Sequence, residues 1–180
     1  MPDLSTAREP PLIAAGPWVQ PLPPAARWIL RGGEPVRSAA ERALALPLPA
    51  AACRAGLAAG RAALWLGPDE WLLLAPAADA SLGASLSQAL AGLPHSLVDV
   101  SHRQIALAVR GSHAATLLAS GCPLDLGARA FPVGMCTRTM LGKCEVVLWR
   151  TEPEEFRTEV WRSFAAYVAR FLAEAARGMI

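Results

Sequence analysis

The chain has 180 residues but only one lysine, Lys143, one tyrosine, Tyr167, and three histidines. Charged residues make up 18% of it, and the formal net charge is +2. The remaining basic residues are arginines scattered along the chain, with no basic stripe, so a nucleic-acid partner is not expected. The four cysteines, Cys53, Cys122, Cys136 and Cys144, show no C-x-x-C spacing. That excludes the common zinc and dithiol motifs and reads as free thiols in the cytoplasm. No basic region followed by an uninterrupted apolar one opens the sequence, so a secretory signal is not expected. A membrane span needs about 18 uninterrupted apolar residues. The nearest stretch, GRAALWLGPDEWLLLAPAA, is broken by Gly67, Pro68, Asp69 and Glu70, so no membrane association is expected.

What is abundant is apolar surface. Hydrophobic residues reach 53% and the mean hydropathy is +0.31. A chain of this length buries about 70% of its unfolded surface unaided. The excess points to a permanent interface, because obligate interfaces resemble a core cut in half. The wealth of alanine and arginine also fits a GC-rich gene.

Residues 1–25 hold Pro2, Pro10, Pro11, Pro17, Pro21, Pro23 and Pro24, seven of the 16 prolines. Proline fixes φ and removes a donor, so this arm builds neither helix nor central strand. It is either solvated or laid extended along the domain, and Leu12, Ile13 and Trp18 favour the second. Residues 26–180 read as one domain, with possible lobes at 26–93 and 94–180. The spacing predicts a strand over 27–32 and a helix over 35–46, with Pro35 in its first turn. Residues 47–60 read as loop or short helix. A hairpin over 61–76 turns at Gly-Pro-Asp-Glu. Asp79 caps the next helix, where Leu82, Leu86, Leu90 and Leu93 recur at helical spacing.

Two strands follow at 96–101 and 104–110. In the second, Ile105, Leu107 and Val109 alternate with alanines and share one face. Ser112 is expected to cap a short helix, and Gly121 to end it in a left-handed conformation. Residues 134–150 read as two strands turning at 141–143. Thr151 and Glu154 then match a capping box. Phe156, Val160, Phe164, Tyr167, Val168 and Phe171 would line one face of a terminal helix, with Trp161 and Leu172 flanking it. Each such side chain, when buried, contributes about 1.5–3 kcal/mol. Hairpins alternating with helices give an α+β fold: mostly antiparallel sheets with helices packed on one face. ALWLGPDEWLLLAP and EVVLWRTEPEEF, each running into a helix, form a loose internal echo.

Asp99, Ser101 and His102 in VDVSHRQIALAVRG are the residue types of a hydrolytic triad. On an extended chain residues 101 and 102 diverge, whereas a serine and its base must meet within hydrogen-bond reach. The G-x-S-x-G elbow is also missing. The quieter reading is a strand end where Asp99 and Ser101 bond nearby backbone. His95, His102 and His113 pair with no second ligand at helical spacing, so no metal site is expected. No phosphate-binding glycine loop appears. Asp125, in GCPLDLG, is either a rigidly held functional carboxylate or an Asx turn. Cys136 and Cys144 flank a turn and are expected to face each other as small apolar groups.

The ordered motifs LGPDEWLLLAP, DVSHRQIALAVRGSHAATLLASGCPLDL and FPVGMCTRTMLGKCEVVLWR resemble the gamma subunit of heterotetrameric sarcosine oxidase over about residues 27–175. They are more distantly similar to the folate-binding domain of glycine-cleavage aminomethyltransferase. In that family an Asn-Asp-hydrophobic motif carries a folate-serving aspartate. Here Leu124-Asp125-Leu126 stands in its place, which makes Asp125 the one folate candidate. The resemblance implies a non-catalytic structural subunit, partnered by alpha, beta and delta subunits. In such an oxidase FAD and FMN sit in beta, NAD and tetrahydrofolate in alpha, and zinc in delta. The complex would demethylate sarcosine to glycine, with hydrogen peroxide and formaldehyde or 5,10-methylenetetrahydrofolate as the other products. The equivalent subunit of an N-methylglutamate dehydrogenase and a folate-dependent one-carbon transferase are the alternatives. No catalytic or metal-ligating residue is expected in this chain. Trp18, Trp28, Trp65 and Trp71 are candidates for an interface, with at least two of them going to the core.

Overall fold

A computed structural model describes residues 17–79 and 81–178. In chain order the elements are β1 (Val19–Pro21), β2 (Ala25–Gly32), α1 (Glu34–Leu44), β3 (Ala55–Ala58), β4 (Arg61–Gly67) and β5 (Glu70–Pro76). There follow α2 (Ser81–Ala89), β6 (His95–Asp99), β7 (Gln104–Arg110), α3 (Ala114–Ala119), β8 (Cys136–Leu141), β9 (Cys144–Glu152), β10 (Glu155–Trp161) and α4 (Ala165–Arg177). A single 3-10 turn, Arg162–Phe164, joins β10 to α4.

The strands form two five-stranded sheets, ordered β3-β4-β5-β2-β6 and β8-β9-β10-β7-β1. All their pairings are antiparallel. The fold class is therefore α+β, as the sequence indicates. Strand alternation assigns each face. In the first sheet Leu30, Trp71, Leu73 and Ala75 meet α1 and α2 through Val36, Ala40, Leu82 and Leu86, with Leu90 just past the end of α2. In the second, Leu107, Val109, Leu148, Phe156 and Val160 meet α3 and α4 through Leu117, Leu118, Val168 and Leu172. The other faces meet each other through Leu64, Leu72, Leu74, Cys136, Val147 and Trp149. The layers thus run helices, sheet, sheet, helices.

The two sheets repeat one plan. The order β2-α1-β3-β4-β5-α2 is matched by β7-α3-β8-β9-β10-α4. In the first sheet β6 covers the free edge of β2; in the second, β1 covers that of β7. The echo between the two sequence stretches is this repeat, since each forms the hairpin before the second helix of its half. It also explains the arm. Val19, Gln20 and Pro21 pair with Val109, Ala108 and Leu107, and Val19 is buried. The sequence-predicted arm before residue 17 lies outside the described residues.

Several expectations are corrected. The terminal helix starts at Ala165, and residues 155–161 are β10. Phe156 and Val160 stand four apart, an even spacing that suits one face of a strand as well as one face of a helix. The apparent capping box, Thr151 to Glu154, is the turn between β9 and β10, where Thr151 Oγ1 donates to Glu155 O. The segment 47–60 contains β3. Ser112 does not cap α3, whose N-cap position is His113 without a side-chain hydrogen bond. Gly121 is not left-handed. It is small because a Cβ there would lie 2.6 Å from the Phe171 ring and 3.0 Å from Gly142 N. Cys136 and Cys144 do not face each other. Cys136 pairs with Trp149 and enters the inter-sheet core, while Cys144 pairs with Leu141 on the helix side.

Gly142 combines φ of +60° with a Cβ position only 2.4 Å from Tyr167 Oη. Gly92 has φ of +80° with nothing within 4 Å. Gly92→Ala should therefore cost about 1 kcal/mol for backbone alone, and Gly142→Ala at least twice that. Thermal unfolding of the two variants checks the order; equal losses would mean that the tyrosine contact is immaterial.

Candidate functional site

β2 places Arg27, and β10 places Glu159, on the faces that meet between the sheets. Arg27 Nε donates to Glu159 Oε2 at 2.7 Å, with the side chains only 3% and 1% exposed. Arg27 Nη1 donates to Ala25 O at 2.9 Å. Glu159 Oε1 accepts from Arg157 Nε at 2.8 Å. One carboxylate thus serves two guanidiniums, which leaves a net positive charge in the seam. Buried ions need such full hydrogen bonding, because desolvation otherwise exceeds the Coulomb gain.

The VDVSHR turn closes on the same place. Asp99 Oδ1 accepts from Ser101 N at 2.8 Å, and Ser101 Oγ accepts from Arg27 N at 2.9 Å. Val100 N donates to Arg27 O at 2.9 Å. Asp99 and Ser101 therefore fasten the link between the sheets to β2, as a strand-end role requires. His102 is exposed and has no hydrogen bond to Ser101 or Asp99 among the described residues, so the three do not form a triad.

Two open grooves flank the Pro23–Ala25 link. One of about 510 Å³ has mostly apolar walls, including Pro23, Leu57, Leu74 and Trp149, with Arg157 at its edge. The other, about 430 Å³, collects Trp28, Asp99, Ser101, His102 and Arg162. Asp125 lines neither. Its Oδ1 accepts from Gly127 N at 2.8 Å, the geometry of an Asx turn. The loop is pinned from beneath by buried Arg150, which donates to Phe131 O at 2.9 Å, to Leu126 O at 3.3 Å and to Pro153 O. Among the described residues no group of three or more His, Cys, Asp or Glu is placed to hold a metal ion. No helix among them is long and apolar enough to cross a membrane.

The tryptophans divide. Trp71 is core and donates from Nε1 to Pro49 O at 2.9 Å. Trp18 packs against the second core and edge-on to His113, with ring centroids 6.0 Å apart. Trp28 is half-buried, and Gly83 must lack a Cβ to seat it. Trp65 is half-buried, its Nε1 enclosed without a partner. The most exposed of these indoles is Trp161, at 42%. Sequence reasoning placed it on the flank of a helix; the period-two alternation of 156, 158 and 160 was the signal that would have put it at a strand end.

With this geometry in hand, residues 32–178 match the model of the sarcosine oxidase, gamma subunit family. The chain belongs to this family. The family chain is 38% identical over 121 residues to the sarcosine oxidase subunit gamma of Corynebacterium sp. (strain P-1). That match covers 67% of this chain and 59% of the relative, so it spans under two thirds of the relative's length. Its fold superposes on a chain of the heterotetrameric sarcosine oxidase from Corynebacterium sp. U-96, solved in complex with pyrrole 2-carboxylate. The TM-score is 0.85 at 31% identity, over 97% of this chain and 92% of that one. The glycine cleavage system aminomethyltransferase T from Bartonella henselae superposes with a TM-score of 0.65 at 16% identity. It is covered over 88% of this gamma-family chain and 46% of its own, a likeness of fold.

Burial pushes the Cys136 thiol up to about 12, and its Sγ donates to Arg54 O at 3.2 Å. At pH 8 only about one such thiol in ten thousand is ionised. Iodoacetamide should therefore label half-buried Cys53 in the native chain and reach Cys136 only after unfolding. Peptide mass mapping reads this directly; equal native labelling of both would contradict the buried seam.

Proposed function

We propose that this chain is a non-catalytic structural subunit of a heterotetrameric sarcosine oxidase. The observation that carries the reading is the match, over 97% of this chain, to a chain of such an oxidase. Its partners would be the alpha, beta and delta subunits, which would hold FAD, FMN, NAD, zinc and tetrahydrofolate between them. The assembly would oxidise sarcosine with oxygen and water to glycine, formaldehyde and hydrogen peroxide, or pass the one-carbon unit to tetrahydrofolate. The gamma chain's part is to hold partner surfaces in fixed orientation, which keeps a flavin site ordered. The site residues agree with that part: Arg27, Glu159, Asp99 and Ser101 are spent on joining one sheet to the other. Asp125 is proposed as a turn residue. Residues 26–180 are proposed as one unit, with residues 19–21 of the Pro-rich arm laid on its edge, supported by the β1–β7 pairing. A cytoplasmic location is proposed, and the free thiols suit it.

Co-expression of this chain with tagged beta subunit and untagged alpha and delta tests the reading. The expected outcome is one chain retained per flavoprotein through affinity and size-exclusion steps. A folded chain that elutes alone, beside a fully assembled and active flavoprotein, would contradict it.

A further inference from the structure

One end of the second sheet carries exposed aromatic rings and two arginines that form no ion pair among the described residues. β10 ends at Trp161, opposite Gln104 at the start of β7. Arg162 N donates to Arg103 O at 2.8 Å, which holds the end of β10 beside the start of β7. Trp161 and Phe164 are 42% and 44% exposed, and the Arg103 guanidinium stands 5.2 Å from the Trp161 ring centre. Some surface arginines, such as Arg31, Arg110 and Arg138, reach a carboxylate within 4 Å, whereas exposed Arg42, Arg54, Arg129 and Arg170 do not; what sets Arg103 apart is the exposed aromatic ring beside it, and Arg162 the groove it lines. Neither Arg103 nor Arg162 forms an ion pair with any described residue.

The adjoining groove holds charged groups of both signs. Arg162 lines it beside His102 and Trp28, with its Nε enclosed and unpartnered. Of the acidic groups there, Asp79 pairs with Arg61 at 2.7 Å, while Asp99 accepts from Ser101 N and keeps its negative charge. Exposed Trp and Arg side by side are the residue types that dominate interface energies. Unpaired guanidiniums on aromatic faces select carboxylates and discriminate against basic surfaces.

We propose that Arg103, Trp161, Arg162 and Phe164 form the face by which this subunit grips a partner subunit. The occupant is a segment carrying carboxylates on either side of an apolar side chain. The apolar group would cover the Trp161 and Phe164 rings, and the carboxylates would meet the two guanidiniums. This inference rests on the structural-subunit reading above and adds the docking face and its chemistry.

The test uses the co-expressed complex. The Arg103→Glu/Arg162→Glu double variant should retain at least tenfold less chain on the flavoprotein than wild type at 150 mM salt. Arg129→Glu/Arg170→Glu, which reverses two exposed arginines elsewhere, should retain as much as wild type. Radical footprinting of wild type gives a reading free of substitutions: Trp161 and Phe164 should be oxidised at least fivefold more slowly in the complex than in the free chain. Undiminished retention of the 103/162 variant, or unchanged oxidation of both aromatics on assembly, would overturn the docking face while leaving the subunit reading intact. Failure of wild type itself to assemble would overturn both.

Discussion

The buried pair of Arg27 and Glu159 is the contact on which the arrangement turns. It joins β2 of one sheet to β10 of the other, across 132 residues of sequence. Apolar contacts between the sheets are non-directional and would tolerate sliding. A carboxylate held by two guanidiniums is directional, and a slip of one strand residue would leave ions buried without partners. The loss on breaking one partner of such a pair is about 3–5 kcal/mol, even where the intact pair adds little net stability. In this fold the pair ties one residue of β2 to one residue of β10. Ser101 reinforces it by bonding the backbone of Arg27 itself.

That tie matters because the molecule is a pair of similar halves. Each half is a five-stranded sheet with two helices on its outer face. The first half closes its edge with its own last strand, β6, whereas the second takes β1 from the arm. β1 therefore belongs to the second sheet although it precedes the first in the chain. The Pro23–Pro24 link crosses from β1 to β2 over the seam, and both grooves open beside it. A rigid seam gives partner surfaces a fixed platform, the property a structural subunit needs.

Much of this was legible in the residues. The Leu82, Leu86, Leu90 spacing marked α2, and Gly67 to Glu70 marked the β4–β5 turn. The repeat of ALWLGPDEWLLLAP in EVVLWRTEPEEF was also visible, and the ordered motifs pointed to the family the chain matches. β10 was hidden because Phe156 and Val160 recur at a spacing common to strand and helix. Thr151 and Glu154 then imitated a helix start at what is a hairpin turn. β3 was hidden because Ala55, Gly56 and Ala58 carry no periodic signal; Gly56 is there because a Cβ would overlap Pro47 O at 1.9 Å. The seam could not be read locally, since nothing around Arg27 or Glu159 names the other. Trp161 passed as a helix flank for the same reason β10 did.

The seam is tested most directly by a double-mutant cycle on Arg27→Met and Glu159→Leu, read by urea unfolding. Each single variant should lose about 3–5 kcal/mol, and the double variant should lose much less than their sum, giving a coupling of about 2 kcal/mol or more. Losses that simply add, within about 0.5 kcal/mol, would show that the two side chains act independently and that something else holds the sheets in register.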